Sequence, residues 1–301
     1  MLIGFKKDMP QKIEKDRLRK PNWFKIKAPL GTNYREVRSL MESYGLHTVC
    51  QEANCPNRAE CYGAKTATFL ILGDICTRGC TFCNVKRGKP AGLDQNEPER
   101  VAQAAKKLGL KYVVVTSVTR DDLPDGGASG FAETIHAIRE INPGCKVEVL
   151  IPDFRGNYDA LKTVLDAGPD VLNHNIETIE RLYREVRKGA NYRRSLELIE
   201  RVKSYAPEIP AKSGLMVGLG ESVDEIRQAL EDLHKSGCRL LTIGQYLAPS
   251  EKHHPVIAYY TPEEFDELKK IALDIGFDGV VSGPLIRSSY QASKMYDDTE
   301  E

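Results

Sequence analysis

Six cysteines fall within 34 residues: Cys50, Cys55, Cys61, Cys76, Cys80 and Cys83. They form two triplets. The downstream one, Cys76-Thr77-Arg78-Gly79-Cys80-Thr81-Phe82-Cys83, has C-x3-C-x2-C spacing, and the upstream one has C-x4-C-x5-C spacing. Structural zinc sites usually pair C-x2-C knuckles and often add His; here there is a triplet rather than a pair of knuckles, and no His lies inside it. Thiolates are soft ligands that also suit iron–sulfur clusters. Three thiolates on a four-iron cluster leave one iron open to a substrate or cofactor, which a fourth thiolate would close. Two triplets so close together suggest two clusters, each lacking one protein thiolate. A zinc-folded knuckle beside unrelated buried thiols is the bland alternative, and it fits this spacing poorly.

The elements that must position these thiols can be read from the rest of the chain. Its 301 residues carry 43 basic and 43 acidic side chains, and its pI is near 7.0. That length suits one barrel-sized α/β domain or two ordinary ones. Neutrality argues against a dedicated nucleic-acid binder, and no apolar run approaches the roughly 18 residues of a membrane span. Met1-Leu2-Ile3-Gly4-Phe5 runs directly into Lys6-Lys7-Asp8, unlike an export signal, and the absence of Ser before Ser39 makes a poor transit peptide. A reducing cytoplasm is expected, where eight cysteines are unlikely to be a disulfide framework.

Residues 1–27 hold nine Lys/Arg and three acids, and read as an extended basic arm. Asn33 or Thr32 is expected to cap a helix with Val37, Leu40, Met41 and Tyr44 on its apolar face, ending at Gly45. Residues 46–64 show no regular period yet hold three cysteines, so a metal site is expected to fold them. From Ala67 onward, apolar β-branched runs at 67–72, 112–118, 146–151, 170–176, 211–217, 240–247 and 279–282 alternate with helical patterns. Near-continuous apolar strands separated by helices mean a parallel sheet covered on its faces. A doubly wound sheet fits this pattern too, but the long Cys-rich loop after the first strand and polar residues after strand ends favour a partial (β/α)6 barrel. The expected division is an arm and cluster segment at 1–64, a barrel at 65–278 and a C-terminal extension at 279–301.

The C-x3-C-x2-C triplet, with Phe82 before its last Cys and its place after the first strand, resembles the radical S-adenosylmethionine (SAM) signature. Together with the upstream triplet and Arg287-Ser288-Ser289-Tyr290, it resembles the lipoyl synthases in particular. The segments Ser117-Val118-Thr119-Arg120-Asp121-Asp122-Leu123-Pro124-Asp125-Gly126-Gly127 and Asn173-His174-Asn175-Ile176-Glu177-Thr178 are similar to that family as well, and the resemblance covers roughly residues 30–292.

The resemblance implies a radical SAM sulfurtransferase that inserts two sulfurs at C6 and C8 of an octanoyl chain carried on a lysine. No general base can ionise such carbons, so a radical is needed. By the resemblance, Cys76, Cys80 and Cys83 carry a [4Fe-4S] cluster whose open iron takes SAM, and its reductive cleavage yields 5′-deoxyadenosyl radicals. Cys50, Cys55 and Cys61, with Ser289 as the fourth ligand, carry a second, sacrificial [4Fe-4S] cluster that gives up the sulfur. SAM contacts are expected from Thr116 and Ser117 after the second strand and from Asn173, Asn175 and Glu177 after the fourth. Gly218 and Glu221 in the Gly214-x3-Gly218-x2-Glu221 stretch are further SAM contacts, as is Arg193, whose plainer reading is a helix-surface ion pair. Implied partners are octanoylated carrier domains (2-oxoacid dehydrogenase E2 subunits and the glycine cleavage H protein), an electron donor such as ferredoxin or flavodoxin, and a cluster-reloading factor.

Cys145 and Cys238 read as small buried hydrophobes and His253-His254 as a loop pair. Two other functions compete: a radical SAM enzyme whose second cluster transfers electrons or ligates substrate, and a zinc-stabilised interaction module without catalysis.

Overall fold

The computed structural model describes residues 18–300, with side chains to Tyr296. The first 17 residues of the basic arm therefore lie outside the described residues. Seven strands carry the fold: β1 (Thr68–Ile71), β2 (Tyr112–Ser117), β3 (Lys146–Leu150), β4 (Val171–Asn173), β5 (Ala211–Val217), β6 (Leu240–Gln245) and β7 (Gly279–Gly283). Each pairs in parallel with its successor, and His47–Thr48 adds a short antiparallel edge to β1. The apolar runs end where the strands do within a few residues; only β4 is markedly shorter than its run, and the chain beyond it touches the sheet again at an isolated bridge between Glu177 and Leu215.

Six helices cover the outer face: Glu97–Leu108, Ala128–Ile141, Tyr158–Asp166, Tyr192–Tyr205, Val223–Lys235 and Pro262–Ile275. The last two begin with reciprocal capping boxes, Ser222 with Glu225 and Thr261 with Glu264, which satisfy orphan N–H groups at the helix start. Ile135, Ile138, Leu230, Leu233 and Leu268 are fully buried between these helices and the sheet. Burial of that apolar face, rather than propensity, holds the helices. The N-terminal helix runs Thr32–Ser43 and buries Tyr34, Val37 and Met41. It starts at Thr32 with Gly31 as its cap, so neither Thr32 nor Asn33 caps it as the sequence suggested; the Asn33 side chain instead donates to the Gly63 carbonyl at 2.8 Å.

The sheet is curved into a partial barrel. Leu70 of β1, Thr116 of β2, Leu150 of β3, Leu215 of β5, Gly244 of β6 and Ile286 after β7 all line one cavity, which a flat sheet of that order would not allow. Between β1 and β7 the strands do not pair; side chains bridge the seam instead. Asn57 Nδ2 donates to the Leu285 carbonyl at 2.6 Å, and Tyr290 Oη donates to Glu60 at 2.8 Å. Met295 and Tyr296 of the C-terminal helix (Ala292–Glu300) pack with Val171 and Leu240 at the other end of the strands.

Inside that lower end lies a buried polar layer. Lys212 Nζ donates to both Glu148 oxygens at 2.9 and 3.0 Å, and Tyr112 and Asn173 donate to the same carboxylate at 2.7 and 3.0 Å. Both ion-pair partners have only 1% of their side chains exposed. Such a pair is held by full hydrogen-bond satisfaction, since desolvation alone would disfavour it.

Candidate active site

The cysteine loop follows β1 directly. Leu72 and Gly73 take positive φ and turn the chain across the strand ends, and Ile75–Cys76 pairs with Lys86–Arg87 to fold the loop back on itself. Its anchors come from the Ser117–Asp122 stretch. Thr77 Oγ1 donates to the Thr119 carbonyl at 2.9 Å and accepts from the Asp121 N–H at 3.1 Å. Arg78, between the first two cysteines, makes a bidentate contact with Asp121 at 2.7 and 2.8 Å and reaches buried Asp153 at 2.6 Å. Burial alone would raise the Asp153 carboxyl, but Arg78 holds it well below the usual range, and Arg194 pairs with its other oxygen at 3.1 Å. Arg120 donates to the carbonyls of Leu72 and Ala91, gathering the start and the later part of the same loop. The other side is held by the His253-His254 pair. The His253 ring N–H donates to the Cys83 carbonyl at 3.1 Å, and the His254 backbone N–H donates to the Thr81 carbonyl at 2.9 Å. The His253-His254 pair, read from the sequence as a loop, thus clamps the thiol loop from that side.

The upstream triplet is carried by two short helices, Val49–Glu52 with Cys50 and Arg58–Gly63 with Cys61, and by the turn between them, which holds Cys55. Four and six residues are too few to show a 3.6-residue period, which is why the sequence pattern was blank there. Thr48 caps the first helix through its Oγ1, and the Cys55 N–H bonds the Cys50 carbonyl at 3.1 Å.

All six clustered cysteines line one cavity of about 810 Å³, together with Thr116, Ser117, Asn175, Glu177 and Ser289. Burial pushes the thiols of Cys50 and Cys80 up to about 11 and those of Cys61 and Cys83 up to about 12. They are neutral without metal, so loading the site must release protons. Buried Arg187 lowers the Cys80 thiol against that trend, and Arg287 stands within electrostatic reach of Cys55 and Glu177. Arg287 belongs to the Arg-Ser-Ser-Tyr motif quoted from the sequence, whereas Arg187 was not marked, because nothing about its spacing separates it from surface basic residues. Among the described residues, no three His, Cys, Asp or Glu side chains are gathered for a single metal ion. The chemistry of the donor set, three soft thiols in each triplet, suits an iron–sulfur cluster, which offers each thiolate its own iron.

Between the triplets runs a polar line. Ser288 Oγ donates to Asn175 Oδ1 at 2.9 Å, and Asn175 Nδ2 donates to Glu177 Oε1 at 3.0 Å. Glu177 is held at φ 64, and burial raises its carboxyl pKa. Gly214 permits the approach: a Cβ there would stand 2.7 Å from both Asn175 Oδ1 and Ser288 Oγ. Beneath the line, buried His174 donates from Nδ1 to the Ile151 carbonyl, which leaves Nε2 to accept from Ser195. At the end of β2, the buried Ser117 hydroxyl has no partner of its own. An unsatisfied buried hydroxyl is costly, and a ligand in the cavity would relieve it.

Four expected SAM contacts are not among the lining residues. Asn173 is fully buried and donates to Glu148 in the layer below. Gly218, at φ +95, and Glu221 form a closed turn in which the carboxylate accepts the Gly218 and Leu219 N–H groups. Arg193 lies on the surface and pairs with Glu180 at 3.1 Å, with more than half of each side chain exposed. Its plainer reading is the one the structure gives.

The sequence model of the Radical SAM superfamily matches residues 70–233, and that of the N-terminal domain of lipoyl synthase matches residues 4–55. The chain is 55% identical over 280 residues to the lipoyl synthase of Caldicellulosiruptor bescii, covering 93% of this chain and 96% of that one. It is 54% identical over 290 residues to that of Rubrobacter xylanophilus, covering 96% and 90%. This chain belongs to the lipoyl synthase family. As a radical SAM enzyme of that family, it uses SAM and a [4Fe-4S] cluster. The fold agrees. HydG, a maturase of the [FeFe]-hydrogenase, matches 82% of this chain and 66% of its own at a TM-score of 0.54 and 16% identity. Methylornithine synthase (PylB) matches 79% and 72% at a TM-score of 0.53 and 15% identity. Among the described residues, no helix is long and apolar enough to cross a membrane.

Proposed function

We propose that this lipoyl synthase family member inserts sulfur at C6 and C8 of a lysine-linked octanoyl chain held between two clusters. The observation that carries this reading is the single cavity lined by both cysteine triplets and Ser289. Cys76, Cys80 and Cys83 would hold the cluster that takes SAM; Cys50, Cys55, Cys61 and Ser289 would hold a second [4Fe-4S] cluster. When bound, the first cluster with SAM supplies a carbon radical able to break unactivated C–H bonds, and the second supplies sulfide.

The chain's own contribution is placement. The Thr77, Arg78 and His253 contacts fix the thiol loop over the strand ends, so the three thiols keep one spacing. Ser117, Asn175 and Glu177 offer a free hydroxyl, an amide and a carboxylate for SAM's polar groups. Leu150, Leu215 and Val114 give the cavity apolar walls suited to an acyl chain and exclude water from the reacting carbons. Ser289 would give the second cluster one hard oxygen ligand among soft thiolates, a weaker match where the cluster can open. A carrier domain as substrate, a ferredoxin- or flavodoxin-type reductant, a reloading factor and a cytoplasmic setting belong to the same proposal.

Ser289→Ala tests the second cluster. The variant should still form 5′-deoxyadenosine from SAM while its lipoyl yield falls at least about tenfold, the scale of losing a metal-site ligand or its support. A lipoyl yield equal to wild type would transfer the role to another ligand, with Ser288 the first to try.

A further inference from the structure

Residues 18–30 lie in neither a sheet nor a helix, yet they are tied across the mouth of the cavity. Phe24 packs against Tyr259 with ring centroids 5.3 Å apart, and Lys27 pairs with Glu60 at 3.1 Å. Lys20, Ile26, Lys27 and Pro29 line the same cavity as the six thiols. Among the described residues, eight large apolar side chains are exposed, and four of them fall in this one strap: Leu18, Trp23, Ile26 and Leu30. Scattered exposed hydrophobes need no explanation, but a cluster of them marks a contact surface. Arg19, Lys20 and Lys25 are interleaved with them and exposed, in a chain whose overall charge is zero.

We propose that this strap is the docking surface for the protein that carries the octanoyl group, recognised as a folded domain with an acidic face around its acylated lysine. This rests on the reading of the cavity as the octanoyl site. The acylated lysine is an uncharged amide, so the complementary charge must come from the domain around it. The tether enters beside Lys20 and Ile26, and the domain stays outside, covering Trp23 and Leu30 and facing Arg19 and Lys25. Charge complementarity of this kind sets encounter rate and register, while the apolar side chains supply the desolvated contact.

The test measures binding of an octanoylated acidic carrier domain to the anaerobic holoprotein by fluorescence anisotropy, which needs no turnover. The charge reversal Arg19→Glu with Lys25→Glu alters two residues that do not line the cavity. It should weaken the Kd about tenfold at about 50 mM salt, with the gap closing toward about 300 mM as the charges are screened. Trp23→Ser should weaken binding at every salt concentration. A matched reversal elsewhere, Lys106→Glu with Lys107→Glu, should leave the Kd unchanged, and conversion of a short octanoyl-lysyl peptide should be the same in all variants. Wild-type affinity in both strap variants, or an equal loss in the Lys106/Lys107 control, would overturn the docking surface. Failure of the wild type to convert the short peptide would count against the sulfur-insertion reading and leave the strap's binding result standing.

Discussion

Cys80→Ala should produce neither 5′-deoxyadenosine nor lipoyl product, whereas Cys55→Ala should keep cleaving SAM and make no lipoyl product. Cys80 sits in the clamped loop after β1, beside Arg187, and its thiol is one of the three that must hold the SAM cluster. Without it the cluster is lost or misplaced, and no electron reaches SAM. Cys55 sits on the opposite segment, between two short helices that are joined to the seam by Asn57 and Tyr290 and meet the downstream loop where Asn84 Nδ2 donates to the Glu52 carbonyl at 2.9 Å. Its loss should leave the Thr77, Arg78 and His253 clamps untouched. Iron per chain should fall by about half in each variant with an unchanged circular dichroism spectrum, as expected if each triplet holds one four-iron cluster. Loss of 5′-deoxyadenosine in a folded Cys55→Ala protein that retains four irons would contradict this division of labour.

Lys212→Met should cost about 3–5 kcal/mol of stability, the usual result of stripping one partner from a buried pair. Glu148 would keep Tyr112 and Asn173 as donors but lose Lys212, the cation bonded to it among the described residues. That is a large share of a typical domain's stability, and the urea midpoint of the anaerobic protein should drop accordingly. Adding Glu148→Gln to Lys212→Met removes the stranded charge and should recover most of the loss. If the single variant unfolds at the wild-type midpoint, the polar layer does not brace the barrel below the cavity.

The strand and helix positions were legible because each apolar run is bounded by a cap or glycine, such as Ser222 or Gly276, and the local signal agrees with the packing. The thiol triplets were legible because soft ligands at fixed spacing have few other uses. Less visible were contacts that join distant positions. Arg78 meets Asp153 75 residues away, His253 meets Cys83 across 170 residues, and Asn57 meets Leu285 across 228. The sequence carries the partners but not their pairing. Position after a strand was also a poor guide to which polar residues face the cavity. Asn173 and Asn175 are two residues apart, yet one serves the buried layer below and the other the line between the triplets. Gly218 and Glu221 show the same limit, since a glycine and a carboxylate after a strand describe a closed turn as well as they describe a ligand contact.

The most direct test of the central claim uses protein whose clusters have been rebuilt with isotopically heavy sulfide. It is incubated anaerobically with an octanoylated carrier domain, SAM and reductant, and the carrier is read by mass spectrometry. The account predicts a product in which two heavy sulfurs have replaced two hydrogens, with no more than one lipoyl group formed per chain unless the cluster is rebuilt. A product carrying only light sulfur, or sustained turnover with no added sulfur source, would contradict a sacrificial cluster held by Cys50, Cys55, Cys61 and Ser289.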